Sequence, residues 1–324
     1  MKNITVFTVL VIMAYGVQVV SAQEKPENSH AISLGYQFGF IHGQAEEIVY
    51  PIDTKGKYLS QLLWDMKPVL YNGLTLDFLP VNPMKKPSAF FNFSLKYGIP
   101  GLSGKMEDRD WRSTENAALT DFSTHDNDVR ELFFLDACGG FSFPLVGFLL
   151  LKPFINVSSM TFRFSGMDGS GIYARPIGGG YAPINDNPRE QPYYGRVINY
   201  TQEWLYIAPG FSLGFSFLNV FLAELSFQIS PFISCGDLDE HLTTNNQFKD
   251  LMWGGLLLES GFQFSYSPIQ WLEFSAFFSW RNIEGTKGQT YRRKPIGTGI
   301  YQPEGTAGAG LSILNTGLCL KVRL

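Results

Sequence analysis

The sequence predicts an all-β chain, a ten-stranded antiparallel transmembrane β-barrel with long extracellular loops. Three observations lead there together. The chain opens like an exported protein, apolar residues alternate with small or polar ones in strand-length runs, and the runs are joined by very short turns and long polar stretches in alternation. Aromatic residues make up 15% of the 324 residues, and phenylalanine alone contributes 28. Many of them sit on the greasy face of the alternation. A soluble sandwich would alternate in the same way, so it is the export signal and the aromatic load that point to an outer membrane.

The N-terminus carries the export signal. Lys2 gives a positive start, residues 4–20 are mostly apolar, and Val20, Ser21 and Ala22 supply small residues before a cleavage point. Residues 1–22 are therefore expected to be removed, leaving 23–324 as one barrel domain. No cysteine follows the cut to take a lipid anchor. Beyond the signal there is no apolar stretch of the roughly 18 residues that a spanning helix needs.

After a polar start at 23–29, residues 31–40 alternate strictly, with Ile32, Leu34, Tyr36, Phe38 and Phe40 on one face. The pattern returns at Phe91, Phe93, Leu95 and Tyr97, at Leu272, Phe274, Ala276, Phe278 and Trp280, and at the C-terminus from Leu314 to Leu324. Short connections are expected at 79–87, 142–146, 217–220 and 266–270. Long ones are expected at 51–57, 108–129, 166–194, 238–250 and 285–305. Five outer loops and four inner turns imply ten strands, and put the polar loops on the extracellular side. The 166–194 stretch, rich in Gly and Pro, reads as a mobile wall.

The formal net charge of −4 and the lack of a basic run exclude nucleic acid as a partner. Cys138, Cys235 and Cys319 are odd in number and lack CxxC or His-paired spacing, which indicates neither a disulfide framework nor a zinc site and allows at most one disulfide.

Chemistry concentrates in two acidic stretches. In extended chain Asp237, Asp239 and His241 point the same way, and so do Asp108 and Asp110. An aspartate beside an imidazole is the minimum apparatus for a general base at neutral pH, because the carboxylate stabilises the cation that forms. Ser123, two residues from His125, offers an alternative nucleophile in a loop whose polar residues are ordinarily just solvated. Three carboxylates and an imidazole are also a conceivable divalent-cation site, although no HExxH or EF-hand spacing is present.

These stretches resemble the omptins, a family of outer-membrane barrel proteases. The resemblance rests on Glu47, Val49 and Tyr50 followed by Lys57 and Ser60, Gln61 and Leu62; on Asp108, Asp110 and Trp111; on Thr120, Asp121, Ser123 and His125; and on Asp237, Asp239 and His241. It implies that Asp239 and His241 activate a water held by Asp108 and Asp110, without an acyl-enzyme. It also implies that Glu47 and Asp237 bind the substrate's basic side chain, and two carboxylates suit a guanidinium on physical grounds as well. The implied partners are polypeptides with basic residues and outer-membrane lipid, with no cofactor. The family's dependence on lipopolysaccharide is not carried over, because Glu203 stands where an arginine is expected and residues 157–159 read Val157, Ser158 and Ser159. The final Leu324, in place of an aromatic, bears only on assembly. A catalytically silent adhesin using the same groove is the alternative function.

One conflict stands out. Counted by twos, Phe221 to Ile229 share parity with Asp237, Asp239 and His241, so an unbroken strand would aim the site residues into lipid. Either the rim of this strand is splayed, or one extra residue shifts the register as a β-bulge does, and that shift is expected between Pro231 and Gly236.

Overall fold

The computed structural model describes residues 30–52, 57–80, 84–178 and 180–324. The expected signal at 1–22 and its cleavage point lie outside them, as do 53–56 of the first long connection and 81–83 of the first short one.

Almost everything described is strand. In order these are β1 (His30–Tyr50), β2 (Ser60–Pro80), β3 (Ser88–Gly98), β4 (Gly101–Asp110), β5 (Asp121–Val146) and β6 (Leu149–Tyr173), the short β7 (Pro176–Ile177), β8 (Gly180–Tyr181) and β9 (Arg189–Pro192), then β10 (Arg196–Phe217), β11 (Phe221–Ser230), β12 (Ile233–His241), β13 (Asn246–Trp253), β14 (Leu256–Ile269), β15 (Leu272–Arg293) and β16 (Gln302–Arg323). Neighbours pair antiparallel. Three crossings are interrupted midway, so that β3 and β4 both lie between β2 and β5. In the same way β11 and β12 both pair with β10, and β14 and β13 both pair with β15. β16 returns to pair with β1 and closes the sheet into a barrel.

The lower half is inside out relative to a soluble protein. Ile32, Phe38, Leu74, Phe211, Phe262 and Phe278 face outward and exposed, whereas Ser33, Thr75, Asp77 and Arg281 are buried inside. Only a surrounding lipid makes such a belt stable in place. Charges inside are paired, as buried charges must be: Lys321 with Asp77 at 2.7 Å, Arg281 with Glu259 at 2.7 Å and Lys152 with Glu224 at 2.8 Å. Above this network the lumen fills with large side chains. Trp64, Phe164 and Tyr200 form one cluster of near-parallel rings, with Trp64 5.4 Å from each of the other two and these 6.5 Å from one another between centroids.

Much of what reads as long loop is strand. Within 108–129 only 111–120 lie outside β4 and β5; within 238–250 only 242–245 lie outside β12 and β13; within 285–305 only 294–301 lie outside β15 and β16. The 166–194 stretch is partly β6 and carries all of β7, β8 and β9. The physical reason is the same throughout. Above the lipid belt a strand no longer needs an apolar outer face, so the hydropathy alternation ends while the ladder of backbone hydrogen bonds continues. The turn expected at 142–146 is likewise strand, with the reversal at 147–148.

Candidate active site

The strand carrying Asp237, Asp239 and His241 turns over where Pro231 and Phe232 interrupt it. β10 pairs Gly210 with Gln228 below the break and Tyr206 with Ile233 above it, so one extra residue has entered the strand. The inward face passes from Gln228 and Ser230 to Ile233, Cys235, Asp237 and Asp239. The expected bulge is therefore present, at Pro231 itself; Gly236 lies in regular pairing with Glu203. The outward belt of β10 starts at Leu205, and Asp237 and Asp239 pair with Gln202 and Tyr200 above it. The site thus stands clear of the lipid zone.

His241 Nε2 lies 2.6 Å from Asp239 Oδ2, while Phe248 packs edge-on against the ring at 5.6 Å between centroids. Asp108 and Asp110 sit on β4, on the opposite wall. Ser60 Oγ reaches Asp108 Oδ1 at 3.4 Å, and Ser60 pairs with Asp110 across the β2–β4 ladder. Beneath lie Glu47 and Asp237, 2% and 5% exposed. A relay anchors this floor: Trp204 Nε1 donates to Gln202 Oε1 at 2.8 Å, Gln202 Nε2 to the Tyr200 hydroxyl at 3.0 Å, and Tyr200 to Asp237 Oδ2 at 3.0 Å. The structure thus gathers all six sequence-derived site residues around one groove.

So many acids in one place shift one another. Burial raises the Glu47 carboxyl well above the usual range, and Asp239, Asp237, Asp250 and Asp108 add to it. Asp237 is raised by burial and then by Asp250. Across the groove, burial and Asp110 raise Asp108, and burial and Asp121 push Asp110 up to about 6. Burial alone would lower His241, but Asp239 outweighs it and Asp108 and Asp110 assist, so the imidazole rises to about 9. The arrangement therefore holds protons on a ring beside carboxylates, where they can be exchanged with a bound water.

Ser123 and His125 are near the groove and closed off from it. Ser123 is 5% exposed and pairs with Asp108 across the β4–β5 ladder. Its hydroxyl lies 3.1 Å from His125 Nε2, and His125 Nδ1 donates to the Asp168 carbonyl. Among the described residues no three of His, Cys, Asp and Glu converge as metal ligands, and the three cysteines are free. Glu203 faces outward. Ser158 faces inward and bonds Asp136 at 2.7 Å.

Two residues escaped the sequence reading. Asp250 is fully buried opposite Asp237 in the β12–β13 ladder. Counting by twos from Phe262 and Phe264 would aim it outward, but Gly254 and Gly255, both at positive φ, break that strand, and the glycine pair was the signal to see. Arg112 grips Asp121 with two bonds of 2.6 and 2.5 Å and stacks 4.0 Å from the Tyr181 ring. It places one cation beside Asp110 among the acids.

Residues 28–323 match the model of the Omptin family. Among solved structures, the outer membrane protease OmpT from Escherichia coli aligns with a TM-score of 0.78 at 18% identity, covering 95% of this chain and 99% of its own. At that identity the likeness shows the fold. The outer membrane protein OprG from Pseudomonas aeruginosa aligns with a TM-score of 0.35 at 8% identity, covering 91% of this chain and 98% of its own. No curated protein matches the sequence. The family match spans nearly the whole chain, and with it the chain belongs to the Omptin family of outer-membrane β-barrel proteases.

Proposed function

We propose that residues 23–324, freed of the signal at 1–22, form a ten-stranded barrel whose extracellular groove cleaves polypeptides at arginine or lysine. Counting each interrupted crossing once gives the ten strands. The observation that carries the reaction is the 2.6 Å Asp239–His241 contact opposite two half-buried carboxylates. In this reading Asp108 and Asp110 hold a water. Neutral His241 takes one of its protons as the oxygen bonds to the scissile carbonyl carbon, and Asp239 steadies the resulting imidazolium. The proton then passes from His241 to the departing nitrogen as the C–N bond breaks. Glu47 and Asp237 receive the basic side chain on the acyl side of the cut.

Refolded protein given a short dibasic fluorogenic peptide, with and without lipopolysaccharide, tests this. Turnover is expected in both conditions, since the position of Glu203 offers an acid and not a base to a lipid phosphate. Peptide binding without any turnover would replace the protease with a binding protein.

A further inference from the structure

Glu47 and Asp237 do not line their pocket alone. Asp250, on the neighbouring strand, is 0% exposed and shares its face with Asp237 as ladder partner on one side and with Thr290 on the other. Both neighbours are close enough to influence its charge, yet neither closes a hydrogen bond in full geometry, and Asp250 Oδ1 and Oδ2 are both left without a partner. Glu47 Oε2 and Asp237 Oδ1 are orphaned in the same way. Asp237 Oδ2 is already satisfied by Tyr200. Buried acceptors without donors are rare, and those that persist call for a ligand or another explanation.

We infer that Asp250 is the third acid of the substrate's cation pocket and a specificity-determining residue that commits it to guanidinium over ammonium. The inference rests on the proposed cleavage at basic residues and names the group that the pocket prefers. The argument is one of donors and acceptors. A guanidinium brings five N–H donors in a planar fork, whereas an ammonium brings three on a compact, strongly hydrated centre. Four orphaned acceptor oxygens, divided between Glu47 on one wall and the Asp237–Asp250 pair on another, can all be met by the fork. An ammonium leaves at least one unmet and must shed more water to enter. An unmet buried acceptor weakens binding by about 10-fold or more.

The test measures binding of N-propylguanidinium and n-butylammonium, the side chains of arginine and lysine without their backbones, to refolded full-length protein in detergent. Wild type and the near-isosteric Asp250→Asn and Glu47→Gln variants are compared, with heat-modifiable gel mobility reporting the folded barrel. Wild type is expected to favour the guanidinium by roughly 10-fold or more. Asp250→Asn should shrink that ratio at least about 5-fold, because the amide replaces one acceptor with a donor. If Asp250→Asn fails to fold, Asp250→Ser is measured in its place. An unchanged ratio in a folded variant overturns the inference, and so does a wild type with no preference. Turnover of Arg and Lys peptides is followed in parallel. Guanidinium selectivity that depends on Asp250 in a protein that cuts neither peptide would support the pocket and overturn the protease reading alone.

Discussion

Asp239→Asn is the most informative single change, because the reaction proposed for His241 depends on one contact. The substitution keeps shape and volume but removes the charge 2.6 Å from Nε2. In the native site the imidazole is raised from 6.5 to about 9, with Asp239 the leading cause acting against burial. That displacement corresponds to about 3 kcal/mol in favour of the imidazolium, before discounting for a side chain that still keeps 29% exposure. Neutral ring is the working base, so activity is lost as pH falls through the imidazole value. At pH 7 about one ring in a hundred is neutral. The wild-type kcat/KM should therefore climb through neutral pH toward an alkaline plateau. In Asp239→Asn, burial acts with only Asp108 and Asp110 opposing it, and the acid limb should move down by at least about one pH unit. The plateau itself should fall about 10²- to 10⁴-fold, the usual contribution of a positioned general base and its orienting partner. The assay is a pH series of peptide turnover, read as the behaviour of a coupled cluster and not of one isolated ring. A plateau that falls while the limb stays in place would refute the assignment, since Asp239 would then be holding something other than the titrating base.

Three further outcomes follow from the same geometry. Ser123→Ala should retain most turnover, and wild type should form no adduct with serine-directed phosphonates, because the Ser123 hydroxyl is buried against His125; a stoichiometric adduct on Ser123 would restore the serine mechanism. Glu47→Gln should make the barrel more heat-resistant at pH 8 by gel mobility. The sign is set by a folded-state value raised above 4.5: below 4.5 both folded and unfolded chains are protonated and nothing is lost, whereas above it the buried carboxyl increasingly opposes folding. An advantage that persisted unchanged at pH 4 would rule that out. Raising salt should increase KM for cationic peptides more than for neutral ones, since screening acts within about 10 Å at 0.1 M; equal sensitivity would remove electrostatic attraction from binding.

The lower barrel was legible because lipid enforces a rule that a sequence can display. Phe38, Phe211 and Phe278 must face out, so alternation marks strand, face and approximate end. Above the belt that rule lapses. Gly171, Tyr173, Lys287 and Gln289 lie in ladders, but water on one side and polar lumen on the other leave no hydropathy signal, and such residues look like loop. The site residues were legible for a different reason, since acids and a histidine at alternate positions declare a shared face without reference to hydropathy. Asp250 and Arg112 lack that signature: one is a single acid in a mixed run, and the other gains its meaning only from Asp121 and Tyr181.

The parity conflict in the strand of Asp239 turns out to belong to three strands. β11 and β12 keep one register with β14 and β13, since Ser230 pairs with Leu257 and Ser234 with Trp253. These in turn keep one register with β15 across the break, and the matching shift appears between Ile283 and Thr286 against β16. The extra residue at Pro231–Phe232 is therefore matched by Gly254–Gly255 and by Gly285 on the next two strands, and these three glycines have positive φ. Such backbone is open to glycine at little steric cost and closed to most other residues. A line of breaks thus crosses the wall just above the lipid belt, turning three strands over together so that each keeps its hydrogen-bonded neighbours. Below the line β14 and β15 give their even-numbered side, Phe262, Phe264, Phe274 and Phe278 among them, to lipid. Above it Asp250 and Thr290, of that same parity, face the groove. On β11 and β12 the exchange brings Asp237 and Asp239 inward where odd-numbered Phe227 and Ile229 faced out. The coordinated turn is what lets one continuous sheet serve a membrane and an acidic cleft, and it brings Asp250 into the cleft by the same step that brings Asp239.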